Sequence, residues 1–228
     1  MKLLLVAAEP REFAGLLARC GEAAEVPLAT GWARRCRLGG REALLTANGA
    51  GRARAAAAVE AACNVFPPDA VVSTGFCGAL DPALDVASIL AAERILGDGG
   101  DFTALPPAGC PAGPIYTLDR VAQTAAEKAA LRKSGAVAVE MEAAGVAAEA
   151  RKRGLPFFCV RAVTDLAGES FVNDFNAALR SDGHFDTMRI LSGTFSHPMA
   201  RIPELLRLRN RCARAARTLG DFLVDCPF

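Results

Sequence analysis

Residues 136–165 read AVAVEMEAAGVAAEARKRGLPFFCVRAVTD, and the fold turns on them. The apolar run 136–139 predicts a buried strand, the alanine-rich 141–153 a helix, and 156–163 a second apolar strand. A strand–helix–strand unit of this length suits a parallel pair joined by a crossover helix. The same stretch holds unusual chemistry. Glu140 and Glu142 follow the first strand, and Arg161 and Asp165 close the second. Acidic groups at the end of a buried strand are costly unless paired or solvated. A helix that begins with Glu is equally well explained by the helix dipole, so position alone leaves Glu142 open between cap and site.

The alternation continues on both sides and predicts α/β layering in one domain, residues 1–228. Residues 3–7 read as a first strand, and 9–20 have helical periodicity in Phe13, Leu16 and Leu17. Short strands are expected around 26–28, 34–38 and 43–47, with Gly39-Gly40 as the hairpin turn between the last two. A small-residue helix over 51–65 is stopped by Pro67-Pro68. The buried strand 70–73 ends in Thr74-Gly75-Phe76-Cys77-Gly78, and another strand is expected at 87–92. Residues 97–114 are dense in Gly and Pro and read as a long exposed loop, either a surface linker or a mobile lid. A strand at 115–117, a helix at 120–133 and a long amphipathic helix at 202–224 complete the reading.

The 228 residues carry 26 Lys plus Arg against 25 Asp plus Glu, a net charge of +1. That balance gives no general attraction to nucleic acid or anionic lipid. No apolar run approaches the roughly 18 residues that span a bilayer. The run 3–8 is shorter than a signal-peptide core and is followed at once by Glu9-Pro10-Arg11-Glu12. The 8 cysteines are scattered without a C-x-x-C pair, which fits small core residues in a reducing cytoplasm. With only His184 and His197, the usual Cys/His zinc patterns are missing, and no metal is expected.

In open α/β sheets, ligands gather beyond the carboxyl ends of strands. Glu12, Glu140, Glu142 and Asp165, the last with Arg161, all fall at such ends. Asn48-Gly49-Ala50-Gly51 leads into a helix and reads either as an anion-holding turn or as a plain tight turn. It lacks the spacing of a dinucleotide fingerprint or a P-loop.

Several segments resemble one family. Ser73-Thr74-Gly75-Phe76-Cys77-Gly78-Ala79-Leu80 is similar to the glycine motif of the purine nucleoside phosphorylase and methylthioadenosine nucleosidase superfamily. Ala138-Val139-Glu140-Met141-Glu142-Ala143-Ala144-Gly145 resembles its V-E-M-E-A-A signature, and Val160-Arg161-Ala162-Val163-Thr164-Asp165 its R-A-(I/V)-S-D strand end. With the N-terminal strand and Glu12, these stand in family order across most of the chain. Leu118-Asp119-Arg120-Val121, Glu127-Lys128-Ala129-Ala130-Leu131 and the stretch 198–208 resemble the hopanoid-associated phosphorylase branch.

The resemblance implies a single-domain, three-layer α/β/α fold with a central mixed sheet. It implies cleavage of the N-glycosidic bond of a purine nucleoside, with adenine the expected base, by phosphorolysis or hydrolysis. Phosphate or water would be the co-substrate, and no cofactor is needed. The branch implies an adenosyl group on an apolar tail. The alternatives are a methylthioadenosine/S-adenosylhomocysteine or futalosine-type nucleosidase, and a nucleoside-binding protein without turnover.

By the same resemblance Glu142 faces the ribose hydroxyls, Met141 packs on the sugar, and Asp165 protonates the leaving base. Glu12 activates water, Arg161 orients the carboxylates, and Glu140, Gly75, Phe76 and Thr74 complete the substrate-binding set. Where hexameric phosphorylases place an Arg and a Ser around the glycine matching Gly75, this chain has Ser73 and Phe76. Arg52 with Gly51 is the remaining candidate phosphate site. Phe76, Phe102 and Phe171 are candidates to stack on the base. Family members assemble as homodimers or hexamers. A homo-oligomer is expected here too.

Overall fold

The alternation becomes β1 (Lys2–Ala7), a 3-10 turn (Pro10–Phe13) leading into α1 (Ala14–Leu17), then β2 (Ala23–Glu25), β3 (Trp32–Leu38) and β4 (Arg41–Ala47). There follow α2 (Arg52–Val65), β5 (Ala70–Ala79), β6 (Ile89–Gly97), β7 (Phe102–Thr103), β8 (Ala112–Thr117), α3 (Ala125–Arg132), β9 (Ala138–Glu140) and α4 (Ala143–Lys152). The chain ends with β10 (Phe157–Asp165), α5 (Phe175–Ala178), α6 (Thr187–Thr194) and α7 (Pro198–Asp225). This computed structural model describes residues 1–97, 99–194 and 197–228.

All the strands join one mixed sheet, in the order β10-β6-β8-β9-β5-β1-β4-β3-β2, with β7 paired to β6. Strand β10 also pairs with β5, so five of the strands close into a ring and β1, β4, β3 and β2 extend from it. Helices α2 and α4 cover one face, burying Ala55, Val59, Ala62, Val146 and Ala150 against Leu4, Val71 and Cys159. On the other face Phe13 and Leu16 pack with Leu219 and Leu223 of α7 against Leu3, Leu5 and Val160. The three-layer α/β/α expectation therefore holds. The alanines of α2 and α4 let the helices lie close: a Cβ at Gly145 would run into the Arg52 backbone.

Several local expectations are corrected. Strand β9 pairs antiparallel to β5, while β10 pairs parallel to it. The two are therefore not the parallel pair that the strand–helix–strand spacing suggested. Strand β5 runs on through the glycine motif to Ala79, and β6 is longer than 87–92. The strand expected at 26–28 lies at Ala23–Glu25, paired to β3. Gly39 and Gly40 do make the hairpin turn, both at positive φ (52° and 82°). Residues 97–114 are not one long loop: Ile95 pairs with Phe102, Phe102 and Ala104 are buried, and Leu105 N donates to Phe157 O. Asp98 lies outside the described residues. Among the described residues, no helix is long and apolar enough to cross a membrane.

Candidate active site

Strands β1, β4, β5 and β10 run parallel, so their carboxyl ends face one way and carry Glu12 and Asp165, while the antiparallel β9 brings Glu140 and Glu142 in to meet them. Arg161 is the hub. It is fully buried, and register places it opposite Gly75 of β5. Its Nη1 donates to Thr74 O at 2.6 Å, and its Nη2 donates to Ser73 Oγ at 2.8 Å and to Glu140 Oε2. Nη1 also lies 3.7 Å from Glu142 Oε2.

Glu140 is held from every side. Thr117 Oγ1 donates to its Oε1 at 2.5 Å, and the backbone N–H groups of Glu142 and Ala143 donate to Oε2 at 2.9 and 2.8 Å. The residue that caps α4 through its side chain is thus Glu140, where a carboxylate also meets the positive helix end. Its side chain has no exposure. Expected in the substrate-binding set, it ties α4, β8 and Arg161 together.

That arrangement releases Glu142 from capping. Its Oε1 accepts from Gly51 N at 3.1 Å. The glycine turn before α2 therefore holds the Glu142 carboxyl group through Gly51 N. The other turn amides are occupied: Gly49 N donates to Ala8 O and Ala50 N to Gly183 O. Burial, the neighbouring Glu140 charge and Glu12 push the Glu142 carboxyl up to about 8, against the opposing pull of Arg161 and Gly51 N.

Glu12 comes in from the 3-10 turn after β1. Its Oε1 accepts from Phe76 N at 2.7 Å and its Oε2 from Glu9 N at 2.8 Å. Burial raises its pKa, only partly offset by those two amides and by Arg161. Gly75 makes the meeting possible: it sits at φ 131°, and a Cβ there would strike Glu12 Oε1 and Arg161 Nη1. The result is three carboxylates, Glu12, Glu140 and Glu142, around one guanidinium, with the Thr74 hydroxyl buried and unpartnered among the described residues. Met141 lies between the two glutamates, half-buried.

Asp165 ends β10. Between Val163 and Asp165 the pairing with β5 slips, so that Cys77 and Gly78 face Val163 and Asp165. Such a bulge puts an extra residue into one strand and re-aims the side chain beyond it. Thr164 Oγ1 donates to Asp165 Oδ1 at 2.9 Å, and Lys128 Nζ donates to Oδ2 at 2.5 Å. Burial raises the Asp165 pKa, against the lowering effect of Lys128. Lys128 did not stand out in the sequence. The signal available was its place on α3: three residues before Leu131, it occupies the face that packs inward.

Asp165 and Phe76 form part of the wall of a cavity of about 1130 Å³ between the 3-10 turn, α6, α7 and the loop after β10. Phe171, Phe175, Phe185, Ile190, Leu205 and Leu208 line much of the rest. Glu12 joins this wall to the charge cluster through its bond to Phe76 N. Of the stacking candidates, Phe76 and Phe171 line the cavity. Phe102 does not; it lies under Arg151, whose guanidinium carbon is 4.7 Å from the ring centroid. Arg52 is engaged by Asp119, with Nε–Oδ1 at 2.7 Å and Nη2–Oδ2 at 2.5 Å. His184 meets Glu9 at the cavity edge, Nδ1 to Oε1 3.0 Å. Among the described residues, no group of three or more His, Cys, Asp or Glu could hold a metal ion.

The chain matches the family model described as the Phosphorylase superfamily over residues 2–120 and 110–183. It is 29% identical over 227 residues to the 5'-methylthioadenosine/S-adenosylhomocysteine nucleosidase of Geobacillus kaustophilus, covering 84% of this chain and 96% of that protein. Among solved structures, the Streptococcus pneumoniae 5'-methylthioadenosine/S-adenosylhomocysteine nucleosidase with a transition-state inhibitor superposes with a TM-score of 0.74 at 19% identity, covering 98% of this chain and 97% of that one. A futalosine hydrolase mutant of Helicobacter pylori gives 0.71 at 18% identity, covering 98% and 96%. At these identities the structural likeness is one of fold.

Proposed function

The chain belongs to the phosphorylase superfamily, and from that premise we propose that it hydrolyses the N-glycosidic bond of an adenine nucleoside carrying a 5′-thioether, as the names of its curated relatives suggest. The observation that carries the reading is the charge count around Arg161. Three buried carboxylates share one guanidinium, and both Glu12 and Glu142 are harder to ionise than usual. Burial is the first cause, and a positive charge placed beside the cluster would favour the ionised forms. A neutral sugar does not supply it; the oxocarbenium-like sugar formed as the base leaves does. The attraction is therefore stronger in the transition state than in the bound substrate, which is the condition for catalysis.

In this mechanism Glu142 receives the ribose hydroxyls and Arg161 with Glu140 keeps it in place. Asp165 gives a proton to the purine N7, so the departing base leaves neutral. Glu12, a base with a raised pKa, takes a proton from the water that attacks the anomeric carbon. The same carboxylates repel phosphate, and the Arg52 guanidinium is engaged by Asp119. Both features favour water as the second substrate.

A second reading concerns the 5′ substituent. The cavity adjoining Asp165 is large and mostly apolar, and this favours a nucleoside whose 5′ group carries a long apolar tail, as the resemblance to the hopanoid-associated branch implies. A homo-oligomer in the cytoplasm is the setting we propose for either substrate.

The test is adenine release from 5'-methylthioadenosine and from an adenosyl compound with a long alkyl tail, each with and without phosphate. The reading expects free sugar as product at a rate indifferent to phosphate. A sugar 1-phosphate product would replace hydrolysis by phosphorolysis. Binding without release of the base would make the protein a nucleoside binder.

A further inference from the structure

Lys128 is a buried charged residue that the mechanism above does not use. Only 1% of its side chain is exposed. Its Nζ donates to Asp165 Oδ2 at 2.5 Å and to Leu166 O at 2.8 Å. It also lies 5.4 Å from the centroid of the Phe171 ring. Asp165, by contrast, keeps 10% side-chain exposure and lines the cavity, where Lys128 does not. Lys128 therefore meets the cavity through Asp165.

We propose that Lys128 is a positioning residue for the leaving-group step, holding one proton in common with Asp165 and so supplying the proton that this carboxyl hands to the base. The proposal rests on the nucleosidase reading and deepens it. A purely structural role accounts poorly for the pair, since a buried ion pair is weak evidence of stability and an apolar replacement is often tolerated. A proton-sharing role accounts for it directly. In a dry site, ammonium–carboxylate and amine–carboxylic acid carry the same net charge, so a proton can pass along this hydrogen bond without separating charge.

The step balances. Lys128 Nζ passes the shared proton to the Asp165 carboxylate and becomes an amine. The C–N bond breaks with its electron pair going to the base, and N7 takes that same proton from Asp165, leaving an amine beside a carboxylate. Water adds to the sugar cation, its proton goes to Glu12, and exchange with solvent restores the pair. The charged and titratable groups around the pair are Glu169 beyond β10, Arg211 and Cys212 on α7, and Cys77 on β5. Glu169 is itself paired to Arg211 at 2.6 and 2.9 Å, so its charge is largely balanced.

The experiment is the pH profile of kcat/KM for adenine release from 5'-methylthioadenosine by the wild type, Lys128→Met and Lys128→Arg, with folding checked by circular dichroism. The wild type should hold its activity to alkaline pH, because the shared proton is lost last. In Lys128→Met the basic limb should begin at least about one pH unit lower, with activity near wild type on the acid side. In Lys128→Arg it should begin lower still, because a guanidinium keeps Asp165 ionised and has no proton to give. A structural role predicts the opposite ranking, with Arg the milder change, or a uniform loss with coincident limbs; either result overturns the proposal. If Lys128→Met does not fold, the limb of Lys128→Arg decides alone. If the wild type releases no adenine at all, it is the nucleosidase reading that falls.

Discussion

Gly75 and Arg161 stand opposite each other across β5 and β10, and the absent side chain of the first makes room for the second to meet Glu12. The backbone at Gly75 has φ 131°, a conformation that L residues rarely adopt. Gly75→Ala should therefore strain the strand and push Glu12 away from Arg161 together. We expect a stability loss of about 1–3 kcal/mol and a fall in base release far larger than that loss explains, read by denaturant unfolding and kcat on the same sample.

Asp165→Asn keeps the bond from Thr164 and the shape of the cavity wall, but removes the acid. Adenine release should fall by at least about a hundredfold, while adenine itself still binds. Unchanged kcat would remove Asp165 from the mechanism.

Glu12→Gln can still accept from Phe76 N, so the strand ends stay tied. Without a base for water, kcat should drop by about a hundredfold or more with little change in substrate Kd, measured by isothermal titration under single-turnover conditions. A change confined to KM would instead assign Glu12 to binding.

The raised Glu142 carboxyl makes stability depend on pH. In the unfolded chain it titrates near the ordinary glutamate value of 4.5, and in the folded protein it is pushed up to about 8. Between those values the folded state holds more protons than the unfolded one, so this group's contribution to stability is present below 4.5 and is lost as pH rises toward 8. Glu142→Gln should flatten the fall of Tm across that window. A variant whose Tm falls with pH as steeply as the wild type would show that Glu142 is not held neutral by its surroundings.

Much of the site was legible because strand ends are legible. Glu12, Glu142 and Asp165 each follow an apolar run; Glu12 and Asp165 stand at the gathered carboxyl ends of parallel strands, and Glu142 reaches them from the antiparallel β9. Lys128 was hidden because a lysine among alanines reads as solvated, and only tertiary packing turns that face of α3 inward. The role of Glu140 was equally hidden: adjacent acids offer no sign of which one caps α4, and the backbone at Ala143 decides it. Hydrophobic pattern says that β9 is buried but not which way it runs beside β5, so the parallel expectation failed there. At residues 97–114 the density of Gly and Pro outweighed a two-residue strand pinned by Phe102. The short helices α5 and α6 gave too few turns for a period to show.

The account depends most on the cluster around Arg161 lacking a positive charge until the sugar supplies it. The direct measurement is the ratio of Kd values for a 5'-methylthio adenine analogue whose sugar is replaced by a protonated pyrrolidine and for its uncharged isostere, at neutral pH. The account predicts that the cation binds at least about a hundredfold more tightly, with the gap narrowing in Glu142→Gln. Equal affinity for the two, with adenine still bound, would contradict it.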